Sequence, residues 1–450
     1  MKEDNVLLKA KHFYFIGIGG VNMSALALYL HDRGYEVSGS DVNTQTILQL
    51  KKKGLNVFNG HNAKNISGAD CVVYTSAISA DNVELLEAKK QKVILIKRSQ
   101  LLNQILSGYK CSIAVSGSHG KTTTTDMIAR VLIEQNLNPT VFLGGEDKQF
   151  GNLKLGKSEI ALAEACEYQK NFLDIKPKFA VVLNIDNDHM DTYSTVQEQI
   201  SAFSEFASSA IAVVNADDEN AKKIFNSSTI TFGVRNNAVY TGKNLKHNGK
   251  GYSFTLYVYG KRIGRINLKI DGKHNVYNAL AAIAVCDNLK IPFKAQKRSL
   301  EKFCGVKRRN EYLGRAYDLE VFADYAHHPS ELGAMINTYS QGKRYITVFQ
   351  PHTYSRTKFL MNEFVQCFKT CSPLIILKTY PAREKYDKKG SAKALYNNIL
   401  KYNKNVYYIQ SKKQLAELIR SLCTHFDAVM FFGAGDVYQM AIELVNCKKA

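Results

Sequence analysis

The chain has 450 residues, enough for two to four domains that each bury a core. Hydrophobic residues make up 45% of it, and no run reaches the ~18 consecutive apolar residues of a membrane span, so we predict a soluble protein without stable membrane association. The net charge of +20 is spread along the sequence. Because RNA-binding and zinc-finger signatures are missing, this charge predicts a basic surface and anionic substrates, and no nucleic-acid partner.

The N-terminus and the cysteines predict a cytoplasmic location. Residues 1–5 lack the apolar segment of a signal peptide. The nine cysteines are scattered and form no C-x-x-C pair, which indicates free thiols in a reducing compartment. We expect a monomer or a weak homodimer.

The first predicted elements form a β-α-β unit with glycines in its turn. A strand at 12–16 precedes Gly17, Gly19 and Gly20, a helix follows at 25–33, and a strand at 35–38 leads to Asp41. This pattern is typical of dinucleotide-binding domains, and from the glycines alone NAD(P) is the default ligand. Further α/β elements extend to residue 106, which predicts a first domain at 1–108.

The next strand, at 112–115, leads into the strongest motif of the chain, a short G-x-x-G-K-T loop. A helix is predicted at 126–135, and backbone N–H groups at a helix start bind phosphate. The alternative is a glycine-rich helix cap without a ligand. We interpret the loop as an ATP site formed by seven consecutive residues, Gly117, Ser118, His119, Gly120, Lys121, Thr122 and Thr123.

Two polar residues follow later strands of this second domain. Glu164 ends an apolar strand at 159–163, and His189 follows another at 179–183. Taken singly, each is more typical of an ordinary solvated residue at the end of a strand or in a polar loop. Together with Thr122, they predict a magnesium–ATP centre, because the carboxyl ends of parallel strands meet at one sheet edge.

The remaining sequence predicts an antiparallel patch at 229–268, a helix from about 272 to 288 and a third α/β unit. The third unit has strands at 320–323, 344–349, 374–377, 406–409 and 428–432. We therefore predict an α/β protein with domains at 1–108, 109–312 and 313–450. In the third domain, His352 and Arg356 are four residues apart and could hold one ligand, or form a structural pair.

Several long motifs resemble the Mur ligase family of bacterial peptidoglycan synthesis. They occur in family order over nearly the whole chain, at Gly17–Ser24, Gly117–Thr124, Asn184–Tyr193, Gly272–Ala279, Asp324–Pro329, Phe349–Thr357 and Gly433–Asp436. The resemblance implies a Rossmann-like first domain, a P-loop-type central ATPase domain with a mainly parallel sheet, and a Rossmann-like third domain.

The resemblance also implies the roles of individual residues. The first domain would bind a UDP-sugar rather than NAD, through Gly17, Gly19, Gly20 and Asp41. Lys121, Glu164, His189, His352 and Arg356 would be catalytic, and Thr122, Glu164 and His189 would bind Mg²⁺. The ATP site would include His274, Asn275, Asn278, Arg309 and Asp324 besides the loop, and an incoming amino acid would be placed by His328, His352 and Arg356.

The implied reaction joins L-alanine to the lactyl carboxylate of UDP-N-acetylmuramate through an acyl phosphate, with ATP and Mg²⁺. One alternative is the related ligation of a preformed peptide to the same sugar; another is an inactive UDP-sugar-binding protein. The second alternative is suggested by departures from the family pattern at Asn22, Ala25 and Cys166. We expect Asn22 to preserve the glycine turn through a left-handed backbone.

Overall fold

The computed structural model describes residues 5–186, 192–249, 251–339, 343–382 and 384–446. These residues divide into two compact units. The N-terminal unit contains Met1–Lys269 and Lys273–Cys304, and the C-terminal unit contains Ile270–Gly272 and Gly305–Ala450.

The N-terminal unit begins with a parallel sheet of the order β3-β2-β1-β4-β5. Its elements are α1 (Val6–Lys9), β1 (His12–Ile16), α2 (Val21–Asp32), β2 (Glu36–Asp41), α3 (Thr44–Lys52), β3 (Asn56–Asn59), β4 (Cys71–Tyr74), α4 (Val83–Lys90), β5 (Ile94–Lys97) and α5 (Arg98–Leu106). The central strand β1 is apolar along most of its length because both faces of the sheet are covered. Phe13 and Phe15 pack into one hydrophobic cluster and Tyr14 and Ile16 into another.

The start of α2 corrects a prediction. The helix begins at Val21, directly after the N-cap Gly20, and not at Ala25. Asn22 and Ala25 therefore lie inside the helix, and the expectation that Asn22 keeps a left-handed turn is wrong. The turn depends on Gly17, whose φ is +78°.

A larger sheet of the order β15-β14-β13-β12-β11-β10-β6-β9-β7-β8 completes this unit. Its elements are β6 (Cys111–Ser116), α6 (Lys121–Glu134), β7 (Thr140–Asp147), β8 (Gly151–Lys154), β9 (Ile160–Glu164), β10 (Phe179–Val182), α7 (Val196–Ser208), β11 (Ile211–Asn215), β12 (Ile230–Gly233), β13 (Tyr240–His247), β14 (Tyr252–Val258), β15 (Lys261–Asn267), α8 (His274–Asn288) and α9 (Phe293–Lys302). The neighbours β10, β6 and β9 run parallel, so their carboxyl ends meet at one edge.

The predicted antiparallel patch is smaller than expected. Strands β13, β14 and β15 pair antiparallel, but β12 pairs parallel with both β11 and β13. A second antiparallel pair, β7 with β8, lies at the other end of the sheet.

The C-terminal unit has a sheet of the order β16-β17-β21-β18-β19-β20, parallel except for the edge pair β16–β17. Its elements are β16 (Glu311–Ala316), β17 (Leu319–Asp324), α10 (Pro329–Tyr339), β18 (Tyr345–Phe349), α11 (Tyr354–Phe359), α12 (Met361–Phe368), β19 (Leu374–Leu377), α13 (Ala392–Ile399), β20 (Val406–Ile409), α14 (Lys412–Leu422), β21 (Ala428–Phe432) and α15 (Val437–Asn446). Alternate residues of β21 enter different cores: Phe432 packs on one face and Phe431 on the other.

The three sheets confirm the predicted α/β fold class, whereas the domain boundaries at 108 and 312 stay predictions. Within the described ranges, no helix combines the length and apolar character needed to cross a membrane.

Candidate active site

The phosphate loop connects the buried strand β6 to helix α6. Gly120 caps the helix with a left-handed backbone (φ +86°, ψ −5°), and Lys121 is the first helical residue. The helix therefore begins five residues before the predicted Asp126, and the threonines Thr122–Thr125 form its buried first turns. The loop lies directly before a helix N-terminus, where unpaired backbone N–H groups favour an anion.

Two glycines of the loop are required by their surroundings. A Cβ at Gly120 would lie 2.5 Å from Asn278 Oδ1, and one at Gly117 would lie 3.0 Å from Leu183 Cβ. Both residues also have positive φ, +86° and +136°, which side chains disfavour. The shortened loop thus fits tightly against α8 and the end of β10.

Asn184 holds the loop in place, although the sequence analysis assigned it no role. Its Oδ1 accepts a hydrogen bond from His119 N at 2.8 Å, and its Nδ2 donates to His119 O at 3.1 Å. Ser118 Oγ accepts from Asp186 N at 2.9 Å, and His119 Nε2 lies 3.2 Å from Asp186 Oδ2. The segment after β10 therefore fixes both the backbone and the side chains of the loop.

Lys121 folds back over the loop. Its Nζ donates to Gly117 O at 2.5 Å, Ser118 O at 3.2 Å and Glu167 Oε1 at 3.0 Å. Burial favours the neutral amine, but the carboxylates of Glu167 and Glu164 outweigh it and raise the pKa of Lys121 above its ordinary value. Lys121 is therefore a cation at neutral pH, and fully buried Glu167 is a partner that the sequence analysis missed.

Thr122 and Glu164 form an oxygen-rich pair beside the lysine. Thr122 Oγ1 donates to Glu164 Oε2 at 3.0 Å, and Gly144 N donates to Glu164 Oε1 at 2.6 Å. His189, the third predicted metal ligand, lies outside the described residues. In the part of the chain that is described, no group of three or more His, Cys, Asp or Glu residues could hold a metal.

Helix α8 carries three residues of the predicted ATP site and brings two of them to the loop. Asn275 and Asn278 are buried, and Asn278 Nδ2 donates to Asn275 Oδ1 at 3.0 Å. Asn278 also contacts Gly120. His274 begins the helix and is exposed, so it is accessible to a ligand.

The glycine turn of the first sheet is organised by Asp41. Gly19 N donates to Asp41 Oδ2 at 2.8 Å, and Val42 N and Asn43 N donate to Oδ1. A Cβ at Gly19 would lie 2.8 Å from the Asp41 carboxylate. Asp41, Gly17, Gly19 and Gly20 are therefore brought together, and α2 starts immediately after them.

A buried carboxylate, that of Glu84, stabilises the strands that carry this turn. Fully buried Glu84 accepts hydrogen bonds from Ser40 Oγ at 2.6 Å and Tyr14 OH at 2.7 Å. The carbonyl of Ser40 in turn accepts from Gly17 N at 2.8 Å. Glu84 and Ser40 are far apart in the sequence and share no motif, so their hydrogen bond was not predicted.

In the C-terminal unit, three aromatic rings and a guanidinium converge. Arg356 Nη1 lies 3.4 Å from His352 Nδ1, and the His352 ring stacks on Tyr380 with centroids 5.6 Å apart. The His327 ring meets the His352 ring edge-on, also with centroids 5.6 Å apart. Burial, reinforced by Arg356, lowers the pKa of His352 to about 4, so the ring is neutral at neutral pH.

His328 lies near this cluster in sequence but makes its own contact. It is buried, and its Nδ1 lies 2.8 Å from Ser330 Oγ. Between His352 and α11, Thr353 has the unusual backbone angles φ +67° and ψ 148°. Strained backbone of this kind is retained mainly at functional sites.

Arg309 and Asp324 are also neighbours. Burial raises the pKa of Asp324 to about 6, although Arg309 opposes the shift. Its carboxylate accepts from Asn310 N and Ala326 N, each at 2.7 Å. The Arg309 guanidinium lies over the Tyr325 ring, 4.9 Å from its centroid.

Comparisons with known proteins cover nearly the whole chain. Family models match residues 12–110 (Mur ligase family, catalytic domain), 115–286 (Mur ligase middle domain) and 308–435 (Mur ligase, glutamate ligase domain). The UDP-N-acetylmuramate–L-alanine ligase of Acetivibrio thermocellus is 40% identical over 445 residues, 96% of this chain and 95% of that enzyme. The enzyme of the same name from Aquifex aeolicus is 40% identical over 451 residues, covering 97% and 98%.

Solved structures agree with the sequence comparisons. The UDP-N-acetylmuramate–alanine ligase of Thermotoga maritima superposes with a TM-score of 0.84 at 29% identity, covering 98% of this chain and 99% of that one. A murein peptide ligase from Psychrobacter arcticus has the same fold, with a TM-score of 0.72 at 22% identity and coverage of 97% and 98%.

Proposed function

The chain belongs to the Mur ligase family, and we propose that it is an ATP-dependent ligase joining L-alanine to the lactyl carboxylate of UDP-N-acetylmuramate. The observation that carries this proposal is the arrangement of Lys121, Thr122 and Glu164 at one sheet edge. It supplies a cation and a hydroxyl–carboxylate pair beside a phosphate-binding loop, as phosphoryl transfer requires. The 40% identity to L-alanine ligases over almost the full chain supports the choice of substrates.

In the proposed reaction, the lactyl carboxylate attacks the γ-phosphorus of ATP, and ADP leaves. The product is an acyl phosphate, in which a carboxyl oxygen carries the phosphoryl group. The amine of L-alanine then attacks the acyl carbon, inorganic phosphate leaves with its electron pair, and the proton that the nitrogen loses as the amide forms passes to the phosphate. Lys121 offsets the charge of the phosphoryl oxygens through both steps.

The residues present fit Mg²⁺. The Thr122 hydroxyl and the Glu164 carboxylate are hard oxygen donors, and Mg²⁺ takes few protein ligands when phosphates and water complete its shell. Thr122 and Glu164, with His189 as the predicted third ligand, would hold the ion, which supplies charge neutralisation for the phosphates. Gly144 N keeps the Glu164 carboxylate oriented by its hydrogen bond to Oε1.

The remaining sites complete the proposal. The turn formed by Gly17, Gly19, Gly20 and Asp41 binds the UDP-sugar through backbone N–H groups and the start of α2. In the C-terminal unit, His328, His352 and Arg356 bind L-alanine, whose carboxylate suits the planar guanidinium, while Arg309 and Asp324 contribute to ATP binding. A cytoplasmic location and a monomer or weak homodimer belong to the same proposal.

Mass spectrometry of the product tests the proposal. The purified protein is incubated with Mg²⁺, ATP, UDP-N-acetylmuramate and an equimolar mixture of L-alanine, glycine, L-serine and the tripeptide of the related ligases. We expect a UDP-sugar product enlarged by one alanine residue. A product carrying only the tripeptide would assign the peptide-ligase activity instead, and no product with any amine would favour an inactive sugar-binding protein.

A further inference from the structure

Arg98 lies at the edge of the first sheet where the sugar nucleotide is proposed to bind. It is the first residue of α5 and follows β5 without an intervening loop. The glycine turn follows β1 of the same parallel sheet. Because the carboxyl ends of parallel strands share one edge, Arg98 and the glycine turn lie at the same edge of the sheet.

Hydrogen bonds tie the start of α5 to the segment that follows Glu164. Ser99 Oγ donates to Asp174 Oδ2 at 2.5 Å, and Asn171 Nδ2 donates to Ser76 Oγ, after β4, at 3.0 Å. Asp174 and Asn171 lie in the 3₁₀ segment Tyr168–Asp174, directly after Glu167. Arg98 is therefore held between the sugar-nucleotide edge of the first sheet and the Lys121–Glu164 site of the second.

The guanidinium of Arg98 is half-buried yet lacks a direct partner. Across the described ranges, no hydrogen bond or ion pair joins it to another side chain; the carboxylates of Glu164 and Asp174 act on it only through space. Burial outweighs these carboxylates and lowers the pKa of Arg98, although an arginine stays charged. A partly desolvated cation of this kind is stabilised by an added anion.

We propose that Arg98 binds the carboxylate of the acid substrate and orients it toward the phosphate held by Lys121. This inference rests on the proposed function, since the lactyl carboxylate must lie near both the first sheet and the Thr122–Glu164 pair before it can attack ATP. A guanidinium presents two parallel N–H donors to a carboxylate, which leaves the outer lone pairs of its oxygens available. Glu164 accepts hydrogen bonds from Thr122 and Gly144 and forms no ion pair with the guanidinium.

Calorimetric binding of two sugar nucleotides tests this role. UDP-N-acetylmuramate carries the lactyl carboxylate, and UDP-N-acetylglucosamine is the same nucleotide without it. We expect R98M to weaken UDP-N-acetylmuramate binding about 10- to 100-fold, the range of a charge-assisted hydrogen bond, and to change UDP-N-acetylglucosamine binding less than about twofold. R98K keeps the charge but loses the planar pair of donors, so it should give an intermediate loss.

The neighbouring Lys97 provides a matched control, because it is exposed and also basic. K97M should leave both affinities as in the unmodified protein. Equal weakening of the two nucleotides in R98M would mean that Arg98 only supports the fold, and an unchanged affinity for both would mean that it does not touch the carboxylate; either result overturns the inference. If the unmodified protein formed no ligated product, the proposed function would fail first, and this result is separable because it precedes any substitution.

Discussion

Among single residues, Lys121 is the one on which the proposed phosphoryl transfer most depends. Its ammonium contacts two loop carbonyls and Glu167, so it is positioned before a ligand arrives. We predict that K121A lowers kcat about 10²- to 10³-fold, the usual cost of removing one preorganised donor to developing charge. The measurement is ADP formation at saturating substrates.

The control for K121A is Lys110, a surface lysine of the same unit. Its Nζ forms an exposed ion pair with Glu159 at 2.6 Å, and exposed pairs contribute little to stability. K110A should retain the activity of the unmodified protein. Comparable activity of K121A and the unmodified protein would show that the loop takes no part in phosphoryl transfer.

We predict that Glu164 determines how much Mg²⁺ the reaction needs for half-maximal activity. E164Q retains the size of the side chain but removes its charge, so we expect the Mg²⁺ concentration for half-maximal activity to rise at least tenfold, and EDTA to abolish turnover of the unmodified protein. Binding of Mn²⁺ to the ATP complex, followed by electron paramagnetic resonance, provides a readout independent of turnover. Equal Mn²⁺ affinity of E164Q and the unmodified protein would exclude Glu164 as a ligand.

His327 is predicted to make stability depend on pH. Burial, reinforced by Arg356, lowers its pKa from 6.5 to about 3. Between these values the unfolded chain binds a proton that the folded chain does not, so the free energy of unfolding falls as the pH drops from 6.5, and His327 has no such effect above it. Urea unfolding from pH 8 to pH 5 measures this slope.

The variant H327Q should reduce that slope below pH 6.5, because the ionisable ring is gone. Replacing the exposed His425 by glutamine is the control, and we expect it to leave the slope as it was. An identical slope in H327Q and the unmodified protein would show that other groups cause the pH dependence.

Among the elements, the contact of α6 with α8 shapes the phosphate site. In G120A, the new methyl group would meet Asn278 Oδ1 at 2.5 Å, and the backbone would keep a φ of +86°. We predict that G120A loses ATP binding, because the loop must move to relieve the contact. It should also lose about 1–2 kcal/mol or more of stability, the cost of a left-handed backbone with a side chain. Calorimetry with ATP and thermal unfolding measure the two effects.

A substitution at Gly68 distinguishes the effect of the steric contact from the effect of the left-handed backbone. Its φ is +79°, but a Cβ there would have no atom within 4 Å. G68A should therefore show the backbone cost while ATP binding stays intact. If G120A also bound ATP normally, the tight fit of the loop against α8 would not be needed for the site.

The elements also show what sequence patterns can and cannot predict. Strand β1 was predicted at its observed bounds because a strand buried on both faces is a continuous apolar run. Strand β7 was missed, since Gly144 and Gly145 within it resemble a turn; its buried apolar run is only Val141, Phe142 and Leu143. The start of α6 was placed too late because threonine disfavours helices, and here burial overrides that preference.

At the scale of the whole molecule, the loop and the carboxylate beside it could be predicted because each directly follows a strand. Thr122 is hydrogen-bonded to Glu164, which also acts on Lys121, while the roles of the three residues stay predictions. Their supports could not be predicted: Glu167, Asn184 and Glu84 reach their partners only through folding. Contacts between residues far apart in sequence leave no periodic pattern in the sequence.

We propose that this chain couples the cleavage of ATP to ADP and phosphate with amide formation between two specific substrates. The most direct test of this coupling is phosphate release by the purified protein with Mg²⁺, ATP and UDP-N-acetylmuramate, measured with and without L-alanine. We predict release that depends on both the sugar nucleotide and L-alanine and is lost in K121A. Release that is independent of L-alanine, or that persists in K121A, would contradict the account.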